Sequence, residues 1–275
     1  MTFSSKLHSS PPSPNGLGTG PLDERPDLFP TAQVAGVPVA VTTMSDAIEW
    51  LQDWSTRRLG GVGVRLVNAF TIVSAHDDPR YLRLVRSAGV SLPDGTPVML
   101  ALRLLGGHPR AGRVRGPSFF VGSLQRAAGT GVREFFLGTT DETLEQLEGA
   151  VRQNWPNATI AGRWAPPFTP AVDDELVALC RARIEESRPD RVWVALGTPK
   201  QDYLAERLSA ALGVPCIAVG AAFDFLAGTK REAPKLLQRL GAEWVFRFAS
   251  EPRRLWRRYV FGNIAFLRLL LRERG

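Results

Sequence analysis

The sequence has few of the residues that hold metals or cross-link chains. Only two cysteines and three histidines occur among its 275 residues. Cys180 and Cys216 lie far apart, each inside an apolar run, which predicts reduced core thiols and excludes a disulfide framework or a cysteine zinc site. The histidines are dispersed and no Asp-x-Asp pair occurs. We therefore expect no bound metal, and the cysteine usage favours a reducing compartment.

Long hydrophobic runs are also missing. A membrane-spanning helix needs about 18 to 20 apolar residues, whereas the richest stretch, Val260 to Leu271, is short and contains Arg268. The first 30 residues hold six Pro, five Ser and three Gly in place of the apolar segment of a signal peptide. The sequence therefore predicts no membrane span, a disordered tail over residues 1–30 and a cytoplasmic location.

Three widespread catalytic and nucleotide-binding motifs are absent. The chain has neither the G-x-x-x-x-G-K-[ST] spacing of a P-loop nor a G-x-G-x-x-G after a strand. It also lacks the G-x-S-x-G turn that carries the nucleophile of serine hydrolases. Any nucleotide would have to be bound by a different set of loops.

The net charge of +7 is unevenly distributed. Residues 235–275 carry ten Lys and Arg against three Glu, whereas residues 1–234 carry 24 basic and 24 acidic side chains. Aromatic residues alternate with the arginines of this basic segment, as in helices that lie in a membrane interface. Each such cation near an anionic leaflet contributes about 1 kcal/mol. A core-packing helix with a solvated basic face is the alternative, and no nucleic-acid-binding fold signature accompanies the segment.

Strand and helix patterns alternate along the chain, and the strands are continuously apolar. This combination indicates an α/β fold: a Rossmann-like, largely parallel sheet with helices on both faces. Ser45, Thr140 and Asp173 are the expected helix N-caps. The predicted strands are 33–42 (with a turn), 63–67, 89–92, 133–138, 158–164, 191–196 and 215–219. The predicted helices are 45–58, 69–87 (interrupted at 76–79), 96–105, 140–155, 173–186 and one from 200 onward.

Polar and glycine residues follow the predicted strands. In open parallel sheets, ligands bind beyond the carboxyl ends of the strands. We therefore place the candidate site at Asn68, Asp94, Gly138, the loop Gly197 to Lys200 and the loop Gly220 to Asp224.

Asp94 stands between a strand and a helix in the run Pro93-Asp94-Gly95. Its simplest role is to cap the helix that follows. A carboxylate at the sheet edge in apolar surroundings also suits a general base, because burial raises the pKa of a carboxyl group. Local sequence leaves both roles open.

Two groups of cations lie near these strand ends. The run Gly197 to Gln201 places a glycine, a hydroxyl and Lys200 at a helix start, an arrangement that suits a phosphate. An ordinary turn with a solvated lysine would look the same. Arg110, Arg113 and Arg115 share a glycine-rich loop whose guanidinium groups could bind a diphosphate, or could equally be solvated.

Taken together and in this order, these segments resemble the WecG/TagA/CpsF glycosyltransferases (glycosyltransferase family 26). The similarity covers roughly residues 35–268. The matching stretches are Val67-Asn68-Ala69, Leu92-Pro93-Asp94-Gly95, Arg113-Val114-Arg115-Gly116-Pro117, Phe136-Leu137-Gly138, Val194 through Gln201, Val219 through Gly228, Gln238 through Trp244, and Glu251-Pro252-Arg253-Arg254.

The resemblance implies an inverting, metal-independent transfer, without cofactor, from a UDP-linked sugar to a sugar on polyprenyl diphosphate. The reaction would serve exopolysaccharide or other cell-surface polysaccharide synthesis at the inner face of the plasma membrane. Asp94 matches the general base, with Arg113 and Asn68 in the catalytic pocket. The arginine-rich C-terminus matches an appendage that closes over the site and meets the membrane. The implied substrate-binding residues are Gly138, Gly197, Thr198, Lys200, Gln201, Gly220, Phe223, Asp224, Arg253 and Arg254.

Two positions depart from the family pattern. Leu66 stands where a threonine is common, and Ala221 stands where a glycine is common. The expected domains are the disordered tail over 1–30, a catalytic α/β domain over 31–244 and a basic amphipathic appendage over 245–275. The alternative function is a soluble α/β protein that binds or hydrolyses a nucleotide sugar without a lipid acceptor.

Overall fold

The computed structural model describes residues 28–87, 89–234, 236–237, 243, 246 and 252–272, with the side chains of the last stretch described from Gly262 onward. Most of the predicted tail lies outside these residues. The boundary predicted at 244–245 lies outside them as well.

The described chain opens with a small hairpin and continues into a six-stranded sheet. Strands β1 (Thr31–Val34) and β2 (Val37–Ala40) pair antiparallel around a turn at Ala35 and Gly36. The strands of the large sheet are β3 (Gly63–Val67), β4 (Val90–Pro93), β5 (Arg133–Gly138), β6 (Thr159–Trp164), β7 (Arg191–Ala195) and β8 (Cys216–Ala218). This sheet is parallel throughout and has the strand order β4-β3-β8-β7-β5-β6.

Helices cover both faces of this sheet, which confirms the predicted α/β class. One face packs against α1 (Met44–Arg57), α5 (Gly116–Ala127), α6 (Asp141–Asn154) and α9 (Ala222–Leu226). The other face carries α2 (Ala69–Asp77), α3 (Pro79–Ser87), α4 (Thr96–Leu100), α7 (Asp174–Glu185) and α8 (Lys200–Leu212). A last helix, α10 (Pro252–Arg272), packs on α2.

Successive side chains of the central strands point to opposite faces of the sheet, as strand geometry requires. Phe136 and Trp193 point to the α5 side, whereas Phe135 and Val192 point to the α7 and α8 side. Because helices cover both faces of the sheet, the side chains on both faces are buried and can be apolar. This explains the continuous apolar runs in the sequence.

Several predicted boundaries shift, each for a local reason. The N-cap of α1 is Thr43 and not Ser45, because the Thr43 hydroxyl accepts the Asp46 N–H at 3.3 Å. The predicted helix 69–87 divides into two helices within its predicted interruption, since Asp78 leaves the helical conformation before Pro79. The predicted helix 96–105 changes after Leu100 into a π-helical turn, Ala101–Leu105. Thr140 and Asp173 cap α6 and α7 as predicted.

Candidate active site

The carboxyl ends of five sheet strands bring the predicted site residues to one edge. Asn68 follows β3 and Asp94 follows the neighbouring β4. Gly220 follows β8, Gly197 follows β7 and Gly138 ends β5. Neighbouring strands lie about 4.8 Å apart, so three strand steps separate Asp94 from Gly197 by about 14 Å. The five strand ends are consecutive along this edge of the sheet.

Asp94 is fixed against the next strand by its backbone. Its N–H donates to the Val67 carbonyl oxygen at 2.8 Å, and its residue is half-buried. Helix α4 begins after Gly95, which occupies the N-cap position with φ of 83° and no side-chain capping bond. The N-cap position of α4 is therefore held by Gly95 and not by Asp94. The left-handed φ of Gly95 favours glycine, which lets the chain turn directly after the carboxylate.

Asn68 lies beside this turn and caps α2. Its Oδ1 accepts the Thr71 N–H at 3.1 Å and the Thr71 hydroxyl at 3.2 Å. Its amide Nδ2 makes no hydrogen bond within the described part of the chain, and a methyl group on Gly95 would lie 3.8 Å from the Asn68 Cβ. The asparagine thus has a fixed orientation and a donor to offer next to Asp94.

The arginine loop is pinned to the same edge by two backbone hydrogen bonds. Gly112 N–H donates to Thr42 and Val114 N–H donates to Pro93, each at 2.7 Å. These bonds place Arg113 immediately beside the end of β4. Arg113 is mostly buried and lies 3.5 Å from a Glu243 carboxylate oxygen.

Arg115 joins this loop to the segment that leads to the C-terminus. Its Nε donates to Glu243 at 2.6 Å, one Nη donates to Glu232 at 2.5 Å, and the other donates to the Ser118 hydroxyl at 3.1 Å. Burial alone would lower the pKa of the Arg115 guanidinium, but its bonds to Glu243 and Glu232 raise it overall. Arg115 therefore stays charged and holds Glu232 and Glu243 beside the arginine loop.

The loops after β7 and β8 are joined by Gln201. This buried side chain accepts the Gly197 N–H at 3.0 Å and donates to the Thr198 hydroxyl at 3.4 Å. A methyl group on Gly220 would lie 3.7 Å from its amide, so the amide also touches the turn after β8. Gln201 shapes both loops, and its polar atoms are largely occupied in doing so.

Lys200 begins α8, but its amine extends toward the loop after β6. It donates to the Thr169 carbonyl at 2.6 Å and lies 5.4 Å from the centre of the Phe168 ring. An ammonium has three donors, so this bond leaves capacity for an anion. The Lys200 charge is therefore positioned by Thr169 and Phe168, which no local sequence pattern links to Lys200.

Behind this loop, Asp202 is fully buried in the first turn of α8. It accepts the Tyr81 hydroxyl at 2.5 Å. Burial raises the pKa of Asp202 to about 6, against the lowering effects of the Tyr81 hydrogen bond and the Arg65 charge. The pair connects α3 to the helix that carries Lys200 and Gln201.

Three further predicted residues have clear local roles. Phe223 is fully buried and packs against Phe120 and Phe136, so its ring supports the Gly220 to Asp224 loop from within the core. Asp224 is paired with Lys230 at 2.9 Å. Gly138 has φ of 122°, and a methyl group there would lie 2.5 Å from the Ala195 carbonyl oxygen. Only glycine fits that approach.

The profile of the Glycosyl transferase WecG/TagA/CpsF family matches residues 32–275. The chain belongs to this family. Membership makes it a glycosyltransferase of cell-surface polysaccharide synthesis.

One solved structure shares a low overall similarity with this WecG/TagA/CpsF family member. It is a glycine-to-cysteine mutant of arylmalonate decarboxylase in a sulfate-associated form. The two chains are 19% identical, with 73% of this chain and 83% of the other covered and a TM-score of 0.30. No argument rests on this likeness.

Several features of this family member were not predicted from its sequence. The carboxylates of Glu232 and Glu243 come from far along the chain, and no local pattern links them to Arg115.

Arg253 and Arg254 lie in α10, but their side chains fall outside the described residues. No group of three or more metal-binding side chains occurs in the described ranges. None of the described helices is long and apolar enough to span a bilayer.

Proposed function

We propose that this family member transfers a sugar from a UDP-linked donor to a sugar on polyprenyl diphosphate, with inversion at the anomeric carbon. The reaction takes place at the inner face of the plasma membrane and needs no metal. The observation that carries the proposal is the meeting of Asp94, Asn68 and Arg113 at one end of the strand edge. The Gly197 loop lies about 14 Å away along the same edge.

In this proposal Asp94 is the general base. Its carboxylate takes the proton of the acceptor hydroxyl while that oxygen attacks the donor's anomeric carbon. The bond from this carbon to the diphosphate breaks on the opposite face, and UDP leaves with the electron pair. A single displacement of this kind inverts the anomeric configuration.

Asn68 and Arg113 act on either side of the base. The Asn68 Nδ2 is a donor for a sugar hydroxyl, since its Oδ1 is held by Thr71. Arg113 is placed by the Val114 to Pro93 bond at the end of β4. Its guanidinium suits the negative charge that develops on the leaving diphosphate.

The donor's diphosphate lies, in the same proposal, against the start of α8. This helix of 13 residues begins at Lys200, and the positive end of its dipole favours phosphate. Lys200 adds a positive charge, and Gly197, Thr198 and Gly220 shape the backbone around it. Arg253 and Arg254 are proposed to add further charge from the appendage.

The appendage and the segment just before it are joined to the site at two places. Arg115 binds Glu243, and α10 packs through Phe266 and Leu270 against the cluster that includes α2. Helix α2 starts directly after Asn68. The exposed stripe of α10 contains Ile264, Leu267 and Leu271 beside Arg268 and Arg272, a pattern that suits an anionic membrane surface.

The test is Asp94→Asn, which keeps the shape of the side chain and removes the base. We expect transfer from donor to lipid-linked acceptor to fall by about 10² to 10⁴, the usual contribution of a positioned general base. The rise in Tm with UDP should persist, because the donor loops are untouched. Asp141→Asn, at an exposed carboxylate of α6, is the matched control and should transfer normally. Unchanged transfer in Asp94→Asn would remove the base assignment.

A further inference from the structure

The helix that follows Asp94 carries three exposed leucines. Leu100, Leu104 and Leu105 have 42%, 73% and 41% of their surface exposed. We call these three side chains the leucine patch. Single exposed leucines are ordinary on protein surfaces, whereas a group on one short segment indicates a contact surface.

The leucines lie in or next to the π-helical turn Ala101–Leu105. Its bond runs from the Gly106 N–H to the Ala101 carbonyl at 3.0 Å, five residues back. Leu104 and Leu105 belong to this turn, and Leu100 directly precedes it.

The segment under the patch is firmly held. Val98, Ala101 and Leu102 are buried in the same cluster as Phe266 and Leu270 of α10. The leucines are therefore presented by a packed element of the fold.

The charged residues nearest to the patch in the sequence are arginines. Between Asp94 and Glu134 the sequence contains six arginines and no acidic residue. Arg103 and Arg110 are exposed next to the leucines, and the Arg103 Nε is anchored on the Ala111 carbonyl at 2.6 Å. Apolar side chains flanked by arginines fit an anionic lipid surface, where the leucines enter the acyl boundary and the arginines meet phosphates.

The patch is directly connected to the candidate site. The chain leaves the site at Gly95, exposes the leucines and returns at Arg113, which is fixed beside Pro93 through Val114. Leu104 follows Asp94 by only ten residues, about 15 Å along a helix.

We propose that the leucine patch docks on the anionic surface of a lipid bilayer, separately from the stripe of α10, and so holds Asp94 at the level of the lipid headgroups. This inference rests on the proposed function, since a polyprenyl-diphosphate acceptor offers its sugar at that level. It assigns a second membrane contact, on the catalytic domain itself.

The experiment compares the full-length triple variant Leu100→Gln, Leu104→Gln, Leu105→Gln with the full-length wild type. Binding is measured by sedimentation with vesicles of phosphatidylglycerol and phosphatidylcholine, and with phosphatidylcholine alone. Loss of three leucines from the acyl boundary should weaken binding to the anionic vesicles at least about tenfold. Leu179→Gln is the matched control, because Leu179 is 40% exposed on α7, and its binding should equal that of the wild type.

A labelled variant tests insertion directly. Leu104→Cys can be labelled selectively with a polarity-sensitive fluorophore, because both native thiols are buried. Burial also raises the pKa of Cys180 to about 12 and that of Cys216 well above its usual value. The label at position 104 should shift to the blue with anionic vesicles, while a label on Leu179→Cys should not.

The outcomes separate this inference from the proposed function. The proposal is supported if the triple variant binds vesicles more weakly and transfers less sugar to a vesicle-borne acceptor, while its transfer to a water-soluble acceptor analogue is normal. Unchanged vesicle binding and no blue shift overturns it. A wild-type dimer that the triple variant converts to monomers, with vesicle binding unchanged, also overturns it by showing a second copy on the patch. Absence of transfer to either acceptor, with the vesicle result as expected, counts against the proposed function alone.

Discussion

The burial of Asp202 makes the stability of this protein depend on pH in an unusual direction. The carboxyl group is fully buried, and its pKa is raised from 3.8 to about 6, chiefly by desolvation. Below about pH 4 the group is protonated in both the folded and unfolded chains, so it does not oppose folding. As pH rises toward 7, the unfolded chain loses this proton first, and folding must then bury a carboxylate.

The size of the effect follows from the two pKa values. One pKa unit corresponds to 1.36 kcal/mol, so a difference of about two units lowers the free energy of unfolding by about 3 kcal/mol between pH 4 and pH 7. In Asp202→Asn this loss disappears, because the amide does not titrate. The amide can still accept the Tyr81 hydroxyl.

The assay is urea unfolding of wild type and Asp202→Asn at several pH values from 4 to 8. Other carboxylates contribute equally to both proteins, so the difference between them isolates Asp202. We expect wild-type stability relative to the variant to fall by about 3 kcal/mol across this range. Tyr81→Phe removes a hydrogen bond that lowers the pKa of Asp202 and should extend the fall to higher pH. A difference that stays flat or rises with pH would refute the reasoning.

Two further predictions concern charge pairs. Among the described residues, Arg191→Met leaves the buried Glu134 carboxylate with the Trp193 Nε1 donor at 2.7 Å as its one side-chain partner. Urea unfolding should then show a loss of about 3 to 5 kcal/mol in the free energy of unfolding, and a loss under 1 kcal/mol would contradict this. Glu243→Gln removes the negative charge with which both Arg113 and Arg115 pair. The rate of transfer should then fall about tenfold, which corresponds to about 1.4 kcal/mol of transition-state stabilisation, while UDP binding is kept. Glu148→Gln, which pairs with Arg152 and Arg163, is its control, and equal transfer by both variants would show that the Glu243 contacts do not serve the site.

The elements that depend on local chemistry could be predicted from the sequence. The apolar runs 63–67 and 133–138 are strands with the predicted bounds, and Thr140 and Asp173 cap their helices. These signals depend on residues that are neighbours in the sequence, so they can be recognised without knowing which distant residues are in contact.

The errors arose where two local options compete or where a distant contact decides. Thr43 and Ser45 are both good caps, and the hydrogen bond to Asp46 selects Thr43. The π-helical turn at 101–105 has no simple sequence pattern, and helix α5 follows the arginine loop without an apolar strand to mark it.

The candidate site shows the same division. Its place at the carboxyl edge of the sheet follows from the alternation of strands and helices. The bonds from Arg115 to Glu243, from Tyr81 to Asp202 and from Lys200 to Thr169 join residues 31 to 128 positions apart. Such pairs are set by packing, so the local sequence carries no sign of them. The catalytic roles of Asp94, Arg113 and Asn68 stay predictions.

The most direct test of the central claim is a transfer assay with the full-length protein, labelled UDP-sugars and a polyprenyl-diphosphate-linked sugar in anionic vesicles, with a metal chelator present. The account predicts that one labelled sugar moves to the lipid with inverted anomeric configuration, one UDP is released for each lipid modified, and UDP release stops when the acceptor is omitted. Release of UDP at the same rate without acceptor, and no labelled lipid with any donor, would contradict it.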